Sequence, residues 1–427
     1  MLTENTVQKN IYFRIAVFAF ILYLFIKLFG TQVPFQAKVE EEGPLGGGSG
    51  NIVNQIVYPL IFLLSLIPIF MKRLDAIAII KKEKFLSIFL FLCLLSAFWS
   101  YSPPDTLKRF FRMFTGFTVT LSLLVHTTST KDILKIIKPV LYLYIFLSVV
   151  VCILVPGALD SKFNTWQGFT FGKNLLGQVS IICIILSYFI YREEKGYKKI
   201  IAAVAVLFSL ALLIGARSGT SITTFLLIAL IGLLLLAVEI FRPIGLGRLL
   251  VAIIILFTIT LVITLYLAYP EVLAVGTEAI GKDSTFSGRT NLWNAMFISI
   301  SHHPFLGVGY RAFWSIDPPS QDLAYIYELF YWFPNESHNG YIDIANEVGL
   351  IGLGIFILMM FKYFNSLRRI NYQGPWKWII IAALIISFQE SLLFNPDNVL
   401  GMMVIISYMI LFAQLLKQDD EVEYEPG

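Results

Sequence analysis

Three basic residues far apart in this chain have side chains and settings suited to handling a phosphorylated ligand and a hydroxyl proton. Arg217 stands in Gly215-Ala216-Arg217-Ser218-Gly219-Thr220, a tight connection between two strongly apolar segments. A guanidinium at that depth must find an anion, carbonyls or water, because burying it unpaired is costly. Small neighbours let backbone N–H groups approach a ligand, and the segment that begins there turns a helix N-terminus toward negative charge. Snorkelling to lipid headgroups is the alternative reading of Arg217. Arg289 stands in Phe286-Ser287-Gly288-Arg289-Thr290, and arginine is the side chain suited to bidentate phosphate recognition. A solvated loop charge is its alternative. His338 stands in Glu336-Ser337-His338-Asn339-Gly340-Tyr341. An imidazole with an ordinary pKa of about 6.5 can take a proton from a hydroxyl at neutral pH; a buried or capping histidine is the alternative.

Other residues join these by position. Arg109 and Arg112 share one helical face through their i, i+3 spacing and suit headgroups or a phosphorylated ligand. The stretch from Trp166 to Lys173-Asn174 combines aromatics, glycines and a cation at the entrance to an apolar segment. Aromatic belts explain Trp166 and the phenylalanines, but not the arrangement Gly168-x-x-x-Gly172-Lys173-Asn174. His302-His303-Pro304 reads as a turn, and with no Cys or acidic partner nearby it is not read as a metal site. Cys93, Cys152 and Cys183 fall in apolar segments with no close spacing, which argues against a structural metal.

The elements that must position these groups are membrane helices. The 427 residues are 57% hydrophobic and 14% charged, with a mean hydropathy of +0.76, and a soluble domain cannot hide that much apolar surface. The pattern predicts an all-α polytopic membrane protein of about twelve spans, centred on residues 11–30, 51–71, 84–100, 111–127, 133–156, 174–191, 199–216, 219–240, 248–269, 340–366, 376–395 and 398–416. The whole chain reads as one membrane domain, and the first span as a retained helix rather than a signal peptide. The stretch from Glu40 to Gly50 reads as a flexible loop, and the acidic tail 417–427 as unstructured.

With Met1 in the cytoplasm and each span reversing the side, Lys and Arg favour the inner segments by roughly two to one. This places both termini inside and the long loop 270–339 outside. Within that loop, Leu292, Trp293, Met296, Phe297 and Ile300, and then Leu323, Ile326, Tyr327, Leu329 and Phe330, recur at helical spacing and predict interfacial helices that roof a cavity. Arg109, Arg112, Lys173, Arg217, Arg289 and Arg311 remain on the side that topology disfavours, which marks them as candidates for binding an anion.

The order of these motifs resembles the O-antigen ligase and exopolysaccharide polymerase superfamily of bacterial membrane glycosyltransferases. The resemblance runs from Ser96-Ala97-Phe98-Trp99-Ser100, Pro103 and Arg109, through Gly168 to Gly177 and Arg217-Ser218-Gly219-Thr220. It continues through Gly288-Arg289 with Trp293, Pro304-Phe305-Leu306-Gly307-Val308-Gly309-Tyr310, and Ser337-His338-Asn339-Gly340-Tyr341. It implies a site facing the periplasm or cell exterior, with a glycan on undecaprenyl diphosphate as donor, a glycan acceptor, and no nucleotide sugar or metal. By resemblance Arg217 and Arg289 hold the diphosphate and His338 assists deprotonation of the acceptor hydroxyl. Arg109, Arg112, Lys173, Asn174, Trp293, Tyr310 and Asn339 are then candidate substrate-binding residues.

The reading that follows is a metal-independent, inverting glycosyl transfer at the outer face of the bacterial inner membrane, with no cofactor. A polymerase of exopolysaccharide or O-antigen repeat units is favoured over a ligase to lipid A–core. Expected partners are the lipid-linked donor, the acceptor and the bilayer, with a flippase and a chain-length regulator as further candidates and no nucleic acid. The rival from another class is a transporter or flippase of lipid-linked glycans. It would favour ionisable groups near the midplane and paired broken helices; Glu390, inside an apolar segment, is the feature it could claim.

Overall fold

The computed structural model describes residues 2–30, 52–159, 165–170, 172–241, 287–315, 320–329, 334–370 and 372–423. Its α-helices are α1 (Leu2–Phe29), α2 (Ile52–Met71), α3 (Arg73–Glu83), α4 (Phe85–Leu95), α5 (Pro103–Leu124), α6 (Thr130–Leu154) and α7 (Lys173–Glu193). They continue as α8 (Tyr197–Ala216), α9 (Gly219–Phe241), α10 (Ser287–His302), α11 (Gln321–Leu329), α12 (Gly340–Arg369), α13 (Trp376–Ile386) and α14 (Val399–Glu423). No β-strand occurs among the described residues; a lone bridge joins Leu159 to Trp166.

Eight helices among the described residues are long and apolar enough to cross a membrane, and two shorter apolar helices accompany them. The chain is a multi-pass membrane protein. Every expected span but one falls on a helix; the span at 248–269 lies outside the described residues, as do the stretch from Glu40 to Gly50 and the loop from Tyr269 to Phe286. Burial separates the layers. The apolar window of α14 is 89% buried and that of α7 is 78% buried, against 17% for α9. The first two therefore form the centre of the bundle and α9 its periphery.

Local chemistry sets the helix starts near the site. Pro103 and Pro104 open α5, where their missing N–H groups cost nothing. Asn339 caps α12 by accepting from the N–H groups of Tyr341 and Ile342 at 3.0 and 3.2 Å, which satisfies two donors that a helix start leaves free. The expected surface helices are present. α10 buries Leu292 and Met296, α11 buries Leu323 and Ile326, and the two share an apolar cluster with Val308, Phe313 and Ile342.

Three expectations are corrected. The span at 84–100 is a short helix, α4, which ends at Leu95 and passes into a single 3-10 turn. The span at 376–395 is helical only to Ile386, and residues 387–398 run through the bundle without helix. Such backbone is tolerated at membrane depth only where protein satisfies it, and here it does. Ser387 O accepts from Gly340 N at 2.8 Å, Phe394 O from the Tyr310 hydroxyl at 2.5 Å, and Pro396 O from Lys27 Nζ. Lastly, the tail is not unstructured from Lys417: α14 continues to Glu423, and Asp419 pairs with Lys82.

Candidate active site

Arg217 occupies the connection between α8 and α9 with left-handed backbone, φ 47° and ψ 36°, and its N–H bonds Ile214 O at 3.1 Å. The connection is tight because Trp166 lies against it. Trp166 N donates to Gly215 O at 2.9 Å, and a Cβ at Gly215 would fall 2.3 Å from the indole. The Arg217 guanidinium is exposed and has no partner among the described residues. Its neighbour Ser218 is fully buried and donates to Asn174 Oδ1 at 3.1 Å. Lys173 opens α7 one residue before Asn174.

From Asn174 a polar chain crosses to the irregular segment 387–398 and the long loop. Asn174 Nδ2 donates to Glu390 Oε1 at 3.0 Å, and Arg289 Nη2 lies 4.0 Å from the same oxygen. His338 Nδ1 lies 3.0 Å from Glu336 Oε1. Glu336, His338 and Glu390 each offer one ligand atom, all within 4.8 Å of one another. Such a group could hold a cation. Arg289 already supplies positive charge beside Glu390.

The electrostatics of the pair follow from this geometry. Burial by itself pushes the His338 imidazole down, but the contact with Glu336 and the nearby Glu390 hold it above its ordinary value. Burial pushes Glu336 up, yet His338, Arg311 and Arg289 bring its carboxyl below the usual range. The result is a carboxylate facing an imidazole that readily accepts a proton.

His338 is held by its surroundings on both sides. Trp293 Nε1 donates to Ser337 O at 3.0 Å, tying the loop to α10. Asn339 begins α12, and its Nδ2 reaches Phe388 O at 3.4 Å. Trp293 and Asn339, expected as ligand contacts, also hold the backbone on either side of His338.

Three other expected substrate contacts have partners within the protein. Arg109 donates to Arg311 O, and Arg112 pairs with Asp397. Tyr310 is 2% exposed, with its N–H on Ser96 Oγ at 2.9 Å and its hydroxyl on Phe394 O and Met113 Sδ.

The Pro304–Tyr310 motif also has a backbone task. α12 is broken at Gly349, where φ is 72° and ψ −179°. The break frees two carbonyls and two amides, and the loop meets all four. Val308 N donates to Asn346 O and Gly309 N to Glu347 O, each at 2.9 Å, while Leu350 N donates to Pro304 O at 2.8 Å and Ile351 N to Phe305 O at 3.3 Å. The approach is so close that a Cβ at Gly307 would fall 2.5 Å from Asn346 O and one at Gly349 2.0 Å from Phe305 O.

Among the described residues the non-glycine positions with positive φ are Arg217, Arg311, His338 and Phe394. All lie in the connections that build this end of the bundle. Backbone strain costs on the order of 1–3 kcal/mol per residue and persists where surrounding structure enforces it, often at functional sites.

Sequence reasoning did not place Glu390, Glu336 or the buried acids Asp343 and Glu347 in the site. Glu390 carried a signal, since an ionisable residue inside an apolar window is a functional candidate by default. Asp343 and Glu347 lie on the first two turns of α12, where they read as ordinary polar positions near a helix start.

Comparison with known proteins agrees with the motif order. Residues 174–357 match the family model described as O-Antigen ligase. The chain is 29% identical over 220 residues to the exopolysaccharide production protein ExoQ of Rhizobium meliloti (strain 1021), a match covering 50% of this chain and 49% of that protein. It is 22% identical over 314 residues to a predicted polysaccharide ligase of Rickettsia prowazekii (strain Madrid E), covering 70% of this chain and 72% of the relative. A similar Rickettsia typhi (strain ATCC VR-144 / Wilmington) protein is 22% identical over 328 residues, with 73% and 75% covered. The family match spans Arg217, Arg289 and His338, and with these relatives it supports the resemblance of this part of the chain to the O-antigen ligase superfamily.

Proposed function

We propose that the chain transfers a glycan from undecaprenyl diphosphate to a sugar hydroxyl at the outer face of the bacterial inner membrane, polymerising repeat units of an exopolysaccharide or O-antigen. The observation that carries this reading is the gathering at one end of the bundle of an exposed arginine, a second arginine and a carboxylate–imidazole pair. The distribution of Lys and Arg supports that end facing outward and both termini facing the cytoplasm.

In the proposed step, His338 takes the proton from the acceptor hydroxyl as its oxygen bonds to the anomeric carbon from the face opposite the leaving group. The bond from that carbon to the phosphate oxygen breaks, and its electron pair leaves with the diphosphate. Arg217 and Arg289 stabilise the charge gained there, a preorganised electrostatic role. Glu336 orients the imidazole and stabilises its protonated form, so Nε2 is left to face the acceptor. The two arginines provide the positive charge that the leaving group needs, so the transfer is proposed to run without a metal. Inversion at the anomeric carbon follows from single displacement. Transfer to a lipid A–core acceptor is the second reading; the Rickettsia relatives are named as polysaccharide ligases.

The test replaces Arg217, Arg289 and His338 singly by Ala in cells and follows surface polymer length and lipid-linked units. Loss of long polymer with single units accumulating on the outer leaflet is expected. Normal polymer from all three variants overturns the reading, and units held on the inner leaflet would point to a flippase. Long chains retained on the lipid carrier would favour a ligase.

A further inference from the structure

Arg217 comes from the α8–α9 connection and Arg289 from α10, and a chain of three side chains runs from one setting to the other. Ser218, the residue after Arg217, donates to Asn174 Oδ1 at 3.1 Å, and Asn174 Nδ2 donates to Glu390 Oε1 at 3.0 Å. Arg289 Nη2 lies 4.0 Å from that same oxygen. Both ends of the Asn174 amide are therefore engaged, one toward each arginine. Ser218 is fully buried and Glu390 is 6% exposed, whereas the Arg289 side chain is 27% exposed. Glu390 engages one side of a guanidinium that carries five N–H donors, and the exposed side stays open to an anion.

Two further features point the same way. The first is that α7 presses closely on the start of α9: a Cβ at Gly177 would fall 2.7 Å from Ser221 Cβ and 3.0 Å from Ser218 Cβ. This contact sets how far Asn174 stands from Ser218. The second is the loss of helix after Ile386. In a helix consecutive side chains point about 100° apart, yet Gln389 and Glu390 both reach the neighbouring starts of α9 and α7. Gln389 Oε1 accepts from the Thr220 hydroxyl at 3.1 Å, and Glu390 accepts from Asn174. The irregular backbone turns two adjacent side chains to one place. A link that only joined this segment to α7 would need no more than a neutral amide at position 390, and a buried carboxylate is costly unless it is paired. What the charge adds is a hold on Arg289.

We propose that Asn174 and Glu390 are positioning residues that keep Arg217 and Arg289 at a fixed separation, so that both meet the charge developing on one leaving diphosphate. The inference rests on the proposed role of the two arginines and deepens that site. A misplacement of about 1 Å can cost about a hundredfold in rate. The arginines act on charge gained in the transition state, so misplacing them lowers kcat more than it weakens donor binding.

The experiment uses the full chain in lipid nanodiscs and measures turnover of lipid-linked oligosaccharide taken from cells lacking the chain. Asn174→Asp keeps the acceptor for Ser218 but turns a carboxylate toward Glu390, which breaks the chain at its centre. Its kcat is expected about tenfold to a hundredfold below wild type, with donor KM within about threefold, in protein that melts well above the assay temperature. Adding Glu390→Gln restores the link with its polarity reversed, because the new amide donates to the new carboxylate. The double variant should recover about tenfold in kcat over Asn174→Asp alone.

Wild-type kcat in Asn174→Asp, or no recovery in the folded double variant, overturns the proposal. So does a loss carried by donor KM with kcat unchanged, which would return Asn174 to the substrate contacts. If Asn174→Asp does not fold, Ser218→Ala decides. It removes one hydroxyl at the Arg217 end and should lower kcat about tenfold with donor KM kept; wild-type kcat there overturns the proposal. Failure of the transfer reading is separate, since it shows in cells as normal polymer from both Arg217→Ala and Arg289→Ala. Lost polymer from those two beside normal polymer from Asn174→Asp overturns this proposal alone.

Discussion

Gly349→Ala tests whether the break in α12 is enforced by the loop before it, because the added methyl group has nowhere to go. The backbone there, φ 72° and ψ −179°, lies in a region that is essentially glycine-only and costs about 1–3 kcal/mol for other residues. The new Cβ would also meet Phe305 O at 2.0 Å, Phe305 C at 2.2 Å and Leu306 N at 2.5 Å, all backbone atoms that cannot rotate aside. The loop must move, and the four hydrogen bonds across the break go with it. A buried group left without a partner costs about 1–3 kcal/mol, so losing even two of the four brings the total to about 3–9 kcal/mol. Gly354→Ala is the control on the same helix. It has helical backbone and no neighbouring atom within 4 Å, and it should gain up to ~1 kcal/mol from helix propensity. Thermal unfolding of the two purified variants, followed by tryptophan fluorescence in detergent, compares them directly. Gly349→Ala should melt far below wild type and lose turnover before it melts, because the displaced half-helix carries the Asn339 cap beside His338. Equal melting of the two variants would refute the reasoning.

Three further outcomes are expected. Glu336→Gln should lower the acid-side midpoint of turnover: the imidazole must be neutral to accept a proton, and Glu336 holds its pKa above the ordinary value. The maximal rate should fall about tenfold to a hundredfold, and an unmoved midpoint in a pH–rate profile would contradict the pairing. Tyr310→Phe should cost about 1–2 kcal/mol by stranding the buried Phe394 carbonyl, with the donor KM unchanged; a raised KM with normal melting would return Tyr310 to the ligand site. Turnover should be the same in excess EDTA as in Mg2+, because Arg217 and Arg289 carry the charge role. Loss on chelation, restored by a divalent ion, would instead assign Glu336, His338 and Glu390 to a metal.

The sequence by itself determined the class of fold and the candidate chemistry. Long apolar runs must become helices in lipid, since an unpaired backbone group there costs several kcal/mol, and this holds whatever their neighbours are. The helical periodicity of Leu292 to Ile300 likewise survives in α10. Tertiary structure decided what such local rules cannot reach. The segment 387–398 reads as helix because its Leu and Phe residues are apolar. It is irregular because Tyr310, Lys27 and Gly340, all distant in sequence, supply the partners its backbone would otherwise find within a helix. The same holds for the charges. Arg109, Arg112, Arg311 and Arg217 look alike along the chain, and only the positions of the Arg311 carbonyl, Asp397 and Glu347 separate the three held within the protein from Arg217, which has no partner among the described residues. Ion pairing depends on distances of a few ångströms between residues distant in sequence, and no local pattern records them.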